Sequence, residues 1–275
     1  MKSTDEISSQ IERLKADYDQ DPSYFEQLSA WHNSGLFAIR IDPLLKLVRA
    51  YLHPETDALD AGCAAGAMAI EIAHAGVQHI DAVDFSSTAI RIARRNATDH
   101  QVAGQIRFFE STLEQMTAVC DNSYDLIVAA DVIEHIVAPD RFLREMWRIC
   151  KPGGVMLIET PNTLFRKHRW YPHIKSLCDF FHLPDSQNLF AVDSSRNWGN
   201  YHVSLLSWPD LIGLLRRERW NVIREVSFGW WLKLGAADNI MSMIARMGSV
   251  THAQVRYYEN TDVVMIAQKP MTHGR

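Results

Sequence analysis

The residues able to do chemistry in this sequence fall at the carboxyl ends of short apolar runs. Ala58-Leu59-Asp60-Ala61 leads into Gly62-Cys63-Ala64-Ala65-Gly66. Gly62 and Gly66 permit unusual φ and close approach of a ligand to the backbone. The N–H groups of such a turn and of the helix after it suit an anionic or polar ligand. Asp84 closes the next run, 22 residues beyond Gly62, where a carboxylate can accept two hydrogen bonds from a ribose diol. Glu110-Ser111-Thr112 closes the third run, at a position able to meet the edge of an adenine. Asp131 closes the fourth and opens Asp131-Val132-Ile133-Glu134-His135. An imidazole there titrates near neutral pH and suits a general base, which makes His135 the candidate catalytic residue. Asp131, Glu134 and His135 are alternatively ligands for a divalent cation such as Mg²⁺, Mn²⁺ or Zn²⁺. Neither G-x-G-x-x-G nor the Walker A pattern occurs in the chain.

Strands and helices in alternation must position these residues. Strands are expected at 57–61, 79–84, 106–109, 124–130 and 155–159. Helices are expected at 67–74, 87–97 and 140–150, the last stopped by Lys151-Pro152-Gly153-Gly154. That rhythm implies βαβ crossovers and a mainly parallel sheet covered on both faces, with ligands at the carboxyl ends of its strands. A helix at 208–217 and strands at 220–226 and 262–268 follow. No crossover-length helix leads into the final strand, so an antiparallel pairing is expected there. The fold class is therefore α/β, doubly wound, with a seven-stranded and mostly parallel sheet.

Four stretches organise the chain. Residues 1–50 form a helical segment expected to cover the site, and 51–162 form the cofactor-binding core. Residues 163–206 are an aromatic-rich insertion, and 207–275 complete the core with a second insertion at 229–260. Such inserts at the carboxyl edge of an α/β sheet are expected to form a lid over an acceptor pocket. They are alternatively secondary cores or a homodimer face. His168, His173, His182 and His202 lie in the inserts as surface or polar-pocket residues, and one of them could replace His135 as base. Arg40 precedes the first strand and could reach a cofactor carboxylate.

Hydrophobic residues make up 47% and charged residues 22% of the 275, an ordinary globular composition. The net charge of −5 argues against a nucleic-acid partner or an anionic membrane surface. No apolar run is long enough to span a membrane. Without a C-x-x-C pair or a secretory h-region, the four cysteines are read as buried fillers in a reducing cytoplasm.

These motifs together resemble the class I S-adenosylmethionine-dependent methyltransferases. ALDAGCAAG is similar to the family's first motif, with Ala64 where a third glycine usually stands. VDFS (Val83–Ser86) resembles the ribose motif, YDLIVAADVIEHI (Tyr124–Ile136) the fourth-strand motif, and LREMWRICKPGGVMLIETPN (Leu143–Asn162) the helix, turn and fifth strand. A closer resemblance is to the ubiquinone-biosynthesis O-methyltransferases, through Trp31, Arg40-Ile41-Asp42-Pro43-Leu44 and the Glu134-His135 pair. Residues 163–260 depart from that pattern. The resemblance implies S-adenosyl-L-methionine as cofactor and a small-molecule acceptor, most simply a hydroxyl or carboxyl group. It implies that Asp60, Gly62, Cys63, Ala64 and Gly66 hold the methionine moiety, Asp84 and Ser86 belong to the ribose motif, and Phe85 packs on adenine. Glu110, Ser111 and Thr112 would border the adenine edge, with Ala130 and Asp131 near the sulfonium. The alternatives are N- or C-methylation of a metabolite, a nicotinamide-dependent oxidoreductase, and a non-catalytic cofactor-binding protein.

Overall fold

The computed structural model describes residues 4–20, 22–33, 38–161, 202–228 and 262–271. Three helices come first: α1 (Thr4–Gln20), α2 (Pro22–Asn33) and α3 (Ala38–Val48). The core follows as β1 (Asp57–Ala61), α4 (Ala67–His74), β2 (His79–Asp84), α5 (Ser87–Asp99), β3 (Ile106–Glu110), β4 (Tyr124–Ala130), α6 (Pro139–Ile149) and β5 (Cys150–Pro161). The chain ends with α7 (Trp208–Arg217), β6 (Asn221–Phe228) and β7 (Asp262–Gln268).

Local chemistry sets these boundaries. Ser86 caps α5 by accepting from the Ala89 N–H, and Ala89, Ile92, Ala93 and Ala97 then bury one face of that helix. Pro139 starts α6, which buries Phe142, Leu143, Met146 and Ile149. Each such side chain contributes roughly 1.5–3 kcal/mol of transfer free energy. Ser207 caps α7 in the same manner as Ser86.

The seven strands run in the order β3-β2-β1-β4-β5-β7-β6. β1 through β5 pair in parallel, and β7 runs antiparallel to both β5 and β6. The expected α/β class and antiparallel final strand are both found. Order reverses between β2-β1 and β4-β5, the switch at which open sheets leave a crevice. Two apolar layers flank the sheet, one under α3, α4 and α5, the other under α6 and α7.

One boundary differs from expectation. The segment Lys151–Gly154, expected as a turn, is the bulged first part of β5. Gly153 takes φ 83°. Its N–H donates to the Lys269 carbonyl at 2.8 Å, and the Lys269 N–H donates to the Gly154 carbonyl at 3.0 Å. The buried Lys269 ammonium also donates to Asn122 Oδ1 (2.7 Å) and to the carbonyls of Trp147 and Cys150 (both 2.8 Å). Sequence-distant backbone thus recruits a local turn sequence into the sheet. The cysteines divide as well: Cys63 and Cys150 are buried, whereas Cys120 is exposed and is no filler. Residues 163–201 of the first insert and all of 229–260 lie outside the described residues, as do His168, His173, His182 and the side chains of Trp31 and Arg40.

Candidate active site

The Gly62–Gly66 turn is tied to β2 at both levels of its structure. The N–H groups of Gly62 and Cys63 donate to the Val83 carbonyl at 2.8 and 2.9 Å. The Ala64 N–H donates to Asp84 Oδ2 at 3.0 Å, and the Ser86 N–H to Asp84 Oδ1 at 2.9 Å. Asp84 therefore clamps the first and second βα turns together. Burial still dominates its electrostatics and pushes its carboxyl up to about 6. Asp60 is buried beneath the turn and accepts from the Ala69 N–H at 3.0 Å. Burial, followed by the nearby Asp84 charge, pushes it up to about 7.

The turn needs residues that tolerate left-handed backbone. Gly62 has φ +78° and Gly66 φ +85°. Ala64 adopts φ 44°, at the position where the resembling family carries glycine; an L-residue there costs on the order of 1–2 kcal/mol. A Cβ on Gly62 would sit 2.6 Å from Val132 Cγ2. Gly62→Ala is expected to lower stability by about 1–2 kcal/mol from backbone strain alone, a drop of roughly 2–8 °C in melting midpoint. Adding Val132→Ala should relieve the steric part and leave the φ strain. A single variant melting with wild type would show that the turn is not held as described.

Asn96 on α5 donates to the Ala65 carbonyl and accepts from Ser29 Oγ on α2, both at 2.9 Å. The N-terminal helices dock through such contacts. Asp19 accepts from Ser86 Oγ at 2.6 Å and from the Thr88 N–H at 3.2 Å, so α1 adds a carboxylate to the start of α5. Lys15 pairs with Glu110. The Tyr18 hydroxyl lies 3.2 Å from His135 Nδ1, and its ring meets Phe85 edge-on at 5.3 Å between centroids.

These helices roof a cleft of about 690 Å³, its open mouth included. Of the sequence-derived candidates, Gly62, Ala64, Asp84, Phe85, Thr112, Asp131 and His135 line it. Asp60, Cys63, Gly66, Ser86, Glu110, Ser111 and Ala130 are not among the residues that line it. The structure adds Tyr18, Tyr24 and Phe25 from the N-terminal helices, and Leu113, Glu114 and Val137 from the core side. A helical cover was expected from residues 1–50, but nothing in the local pattern singled out these side chains.

The Asp131-x-x-Glu134-His135 series is distributed between two groups. Donor atoms of Glu134, His135 and His202 lie within 4.8 Å of one another, and so do those of Asp131, Glu159 and Asp262. His202 reaches His135 because the Ser204 N–H donates to the Glu134 carbonyl at 3.0 Å, leaving the two rings 4.8 Å apart. Glu134 is buried and accepts from Thr160 Oγ1 at 3.0 Å. Burial, then the Asp131 charge, pushes its carboxyl well above the usual range.

A family model described as a methyltransferase domain matches residues 52–204, more than half of the chain. The ubiquinone biosynthesis O-methyltransferase of Rickettsia typhi (strain ATCC VR-144 / Wilmington) is 22% identical over 240 residues, covering 79% of this chain and 93% of that protein. The protein of the same name from Caulobacter vibrioides (strain ATCC 19089 / CIP 103742 / CB 15) is 33% identical over 104 residues, covering 38% of this chain and 40% of its own length. Among solved structures, a SAM-dependent methyltransferase from Aquifex aeolicus superposes with a TM-score of 0.57 at 15% identity, covering 90% of this chain and 98% of that one. The chain belongs to the methyltransferase-domain family and is an S-adenosylmethionine-dependent methyltransferase. The nicotinamide-dependent and non-catalytic alternatives are set aside by that membership.

Proposed function

We propose that this methyltransferase transfers the sulfonium methyl of S-adenosyl-L-methionine to an oxygen of a small, largely apolar molecule. The observation that carries the reading is the shared cleft: Asp84, fastened to the glycine turn, and His135 line the same cavity beneath an aromatic roof. Bound there, the cofactor supplies an already activated methyl group. The chain's task is then alignment, which can supply on the order of 7–11 kcal/mol of barrier reduction. Asp84 keeps acceptor capacity for the ribose hydroxyls beyond its two backbone bonds. Phe85, with Tyr18 edge-on to it, would face the adenine, and Thr112 would border it. The turn from Asp60 to Gly66 would hold the methionine moiety. Tyr18, Phe25, Val132 and Val137 exclude water and favour an apolar acceptor body. His135 would take the acceptor's hydroxyl proton, a step that distinguishes O-methylation from transfer to a neutral amine.

The donor set also suits a divalent cation. Glu134, His135 and His202 offer one carboxylate and two imidazoles within reach of one ion. A metal held there would lower the acceptor hydroxyl's pKa. The R. typhi relative, which spans nearly the whole of its own length here, supports O-methylation over N- or C-methylation. Among the described residues no helix is long and apolar enough to cross a membrane.

The test is turnover. Purified protein, S-adenosylmethionine and a panel of phenols, catechols, carboxylates and amines are analysed for products heavier by one CH₂. Products confined to the hydroxyl compounds support the proposal, and products confined to amines overturn it.

Cofactor affinity should depend on pH with a definite sign. Asp84, pushed up to about 6, is protonated below that pH, and only its ionised form accepts both ribose hydrogen bonds. S-adenosylhomocysteine affinity should therefore fall about tenfold from pH 7 to pH 5. Without ligand the sign is opposite. The stability associated with this raised group is full below its ordinary 3.8 and is lost as pH rises through about 6. Calorimetric titration at pH 5, 6 and 7 reads the binding effect, and a flat profile would remove Asp84 from the site.

A further inference from the structure

Helix α1 reaches the candidate base through Tyr18, whose hydroxyl stands 3.2 Å from His135 Nδ1. The two rings lie 6.2 Å apart with 87° between planes. The Tyr18 ring is wedged among aromatics, with centroids 5.3 Å from Phe85, 5.9 Å from Tyr24 and 6.1 Å from Phe25. The helix is fastened on either side of it in the chain. One turn earlier, Leu14 is buried in a cluster with Val137 and Ala138. One residue later, the Asp19 carboxylate accepts from Ser86 and Thr88, and the Asp19 carbonyl accepts from Thr88 Oγ1 at 3.4 Å.

We propose that Tyr18 is a positioning residue of the methyl-transfer site: its hydroxyl oxygen accepts from His135 Nδ1–H and leaves the Nε2 lone pair for the acceptor's proton. The inference rests on His135 being the base. A neutral imidazole carries one proton, and the nitrogen that bears it cannot act as base. The partner of Nδ1 therefore sets what Nε2 can do. A hydroxyl can donate or accept, but only acceptance leaves Nε2 bare. In the proton transfer the acceptor's O–H bond breaks, its electron pair stays on oxygen, and the proton bonds to Nε2. Both ring nitrogens are then donors, and the Tyr18 oxygen already faces one of them. The same bond thus serves the ring before and after the step. The aromatic wedge holds the hydroxyl in place, and the grip of Asp19 on the start of α5 holds the wedge. Docking of α1 over the cleft and orientation of the base are in this way one event.

The experiment uses the full chain carrying ¹⁵N-labelled histidine, and its first stage needs no acceptor. Long-range proton–nitrogen spectra, recorded where the ring is neutral, read which nitrogen bears the proton, and His135→Ala identifies the signal. Nδ1–H is expected in the wild type and in His202→Ala. Tyr18→Phe keeps the ring among Phe85, Tyr24 and Phe25 and removes only the hydroxyl. It should shift the His135 signal toward Nε2–H without lowering the melting point. With an acceptor found in the panel, Tyr18→Phe should lower kcat roughly tenfold and leave KM within about twofold. In a His135→Ala background it should cause little further loss, because it acts through that ring. Nε2–H in the wild type, a Tyr18→Phe spectrum and kcat both unchanged, or an equal loss in the His135→Ala background would overturn the proposal. Nε2–H beside a large loss in His135→Ala would sink the role of Tyr18 alone. Full activity in His135→Ala would sink the base and Tyr18 together.

Discussion

His135→Ala is expected to lower methyl transfer by about 10²–10⁴-fold while leaving S-adenosylhomocysteine affinity within about threefold of wild type. The imidazole lines the cleft, and its Nδ1 is engaged 3.2 Å from the Tyr18 hydroxyl. Where that hydroxyl accepts from Nδ1–H, Nε2 carries the lone pair that a base requires. The base acts on the acceptor's proton and not on the cofactor, and its ring meets Tyr18 and His202, so its loss should spare cofactor binding. Single-turnover rates with an acceptor found in the panel, beside calorimetric titration, separate the two effects. Activity within about twofold of wild type would reject His135 as base. His202 is then the neighbouring candidate, its ring 4.8 Å away, and His202→Ala would show the larger loss.

Asp84→Ala should weaken S-adenosylhomocysteine binding by about 2–4 kcal/mol, or roughly 30- to 1,000-fold, because hydrogen bonds to a charged group are worth about 1.5–3 kcal/mol each. The variant also leaves the Ala64 and Ser86 N–H groups without their acceptor. Some stability is therefore lost along with affinity. Asp84→Asn separates the two, since it keeps a carbonyl for one backbone N–H while removing the charge. Its affinity should fall between those of wild type and Asp84→Ala, with a melting point nearer wild type. Unchanged affinity in both variants would place the cofactor elsewhere and would remove the basis for the roles given to Phe85 and Thr112.

Much of this architecture is legible in the sequence because its causes are local. Apolar runs of strand length and apolar residues at helical spacing set most elements within a residue or two of where they are found, β5 excepted. The glycine turn was legible through Gly62 and Gly66, which occupy φ that few other residues adopt. Acidic strand ends were legible as a series, since parallel strands bring every carboxyl end to the same edge. Lys151–Gly154 was misread for the complementary reason. Its turn composition is local, but the backbone of Lys269 that draws it into the sheet is not.

By itself, then, the sequence determined the parallel α/β core, the turn at Gly62 and the acids aligned with it. Each follows from periodicity or backbone preference over a few residues. Tertiary structure alone decided which side chains enclose the cleft: Tyr18 meets His135 across 117 positions, and Asp19 meets Ser86 across 67. It also decided that Glu134 and His135 gather with His202 while Asp131 gathers with Glu159 and Asp262. Such meetings depend on how amphipathic helices and strand ends pack together. An amphipathic pattern records that a face is buried and carries no record of what buries it.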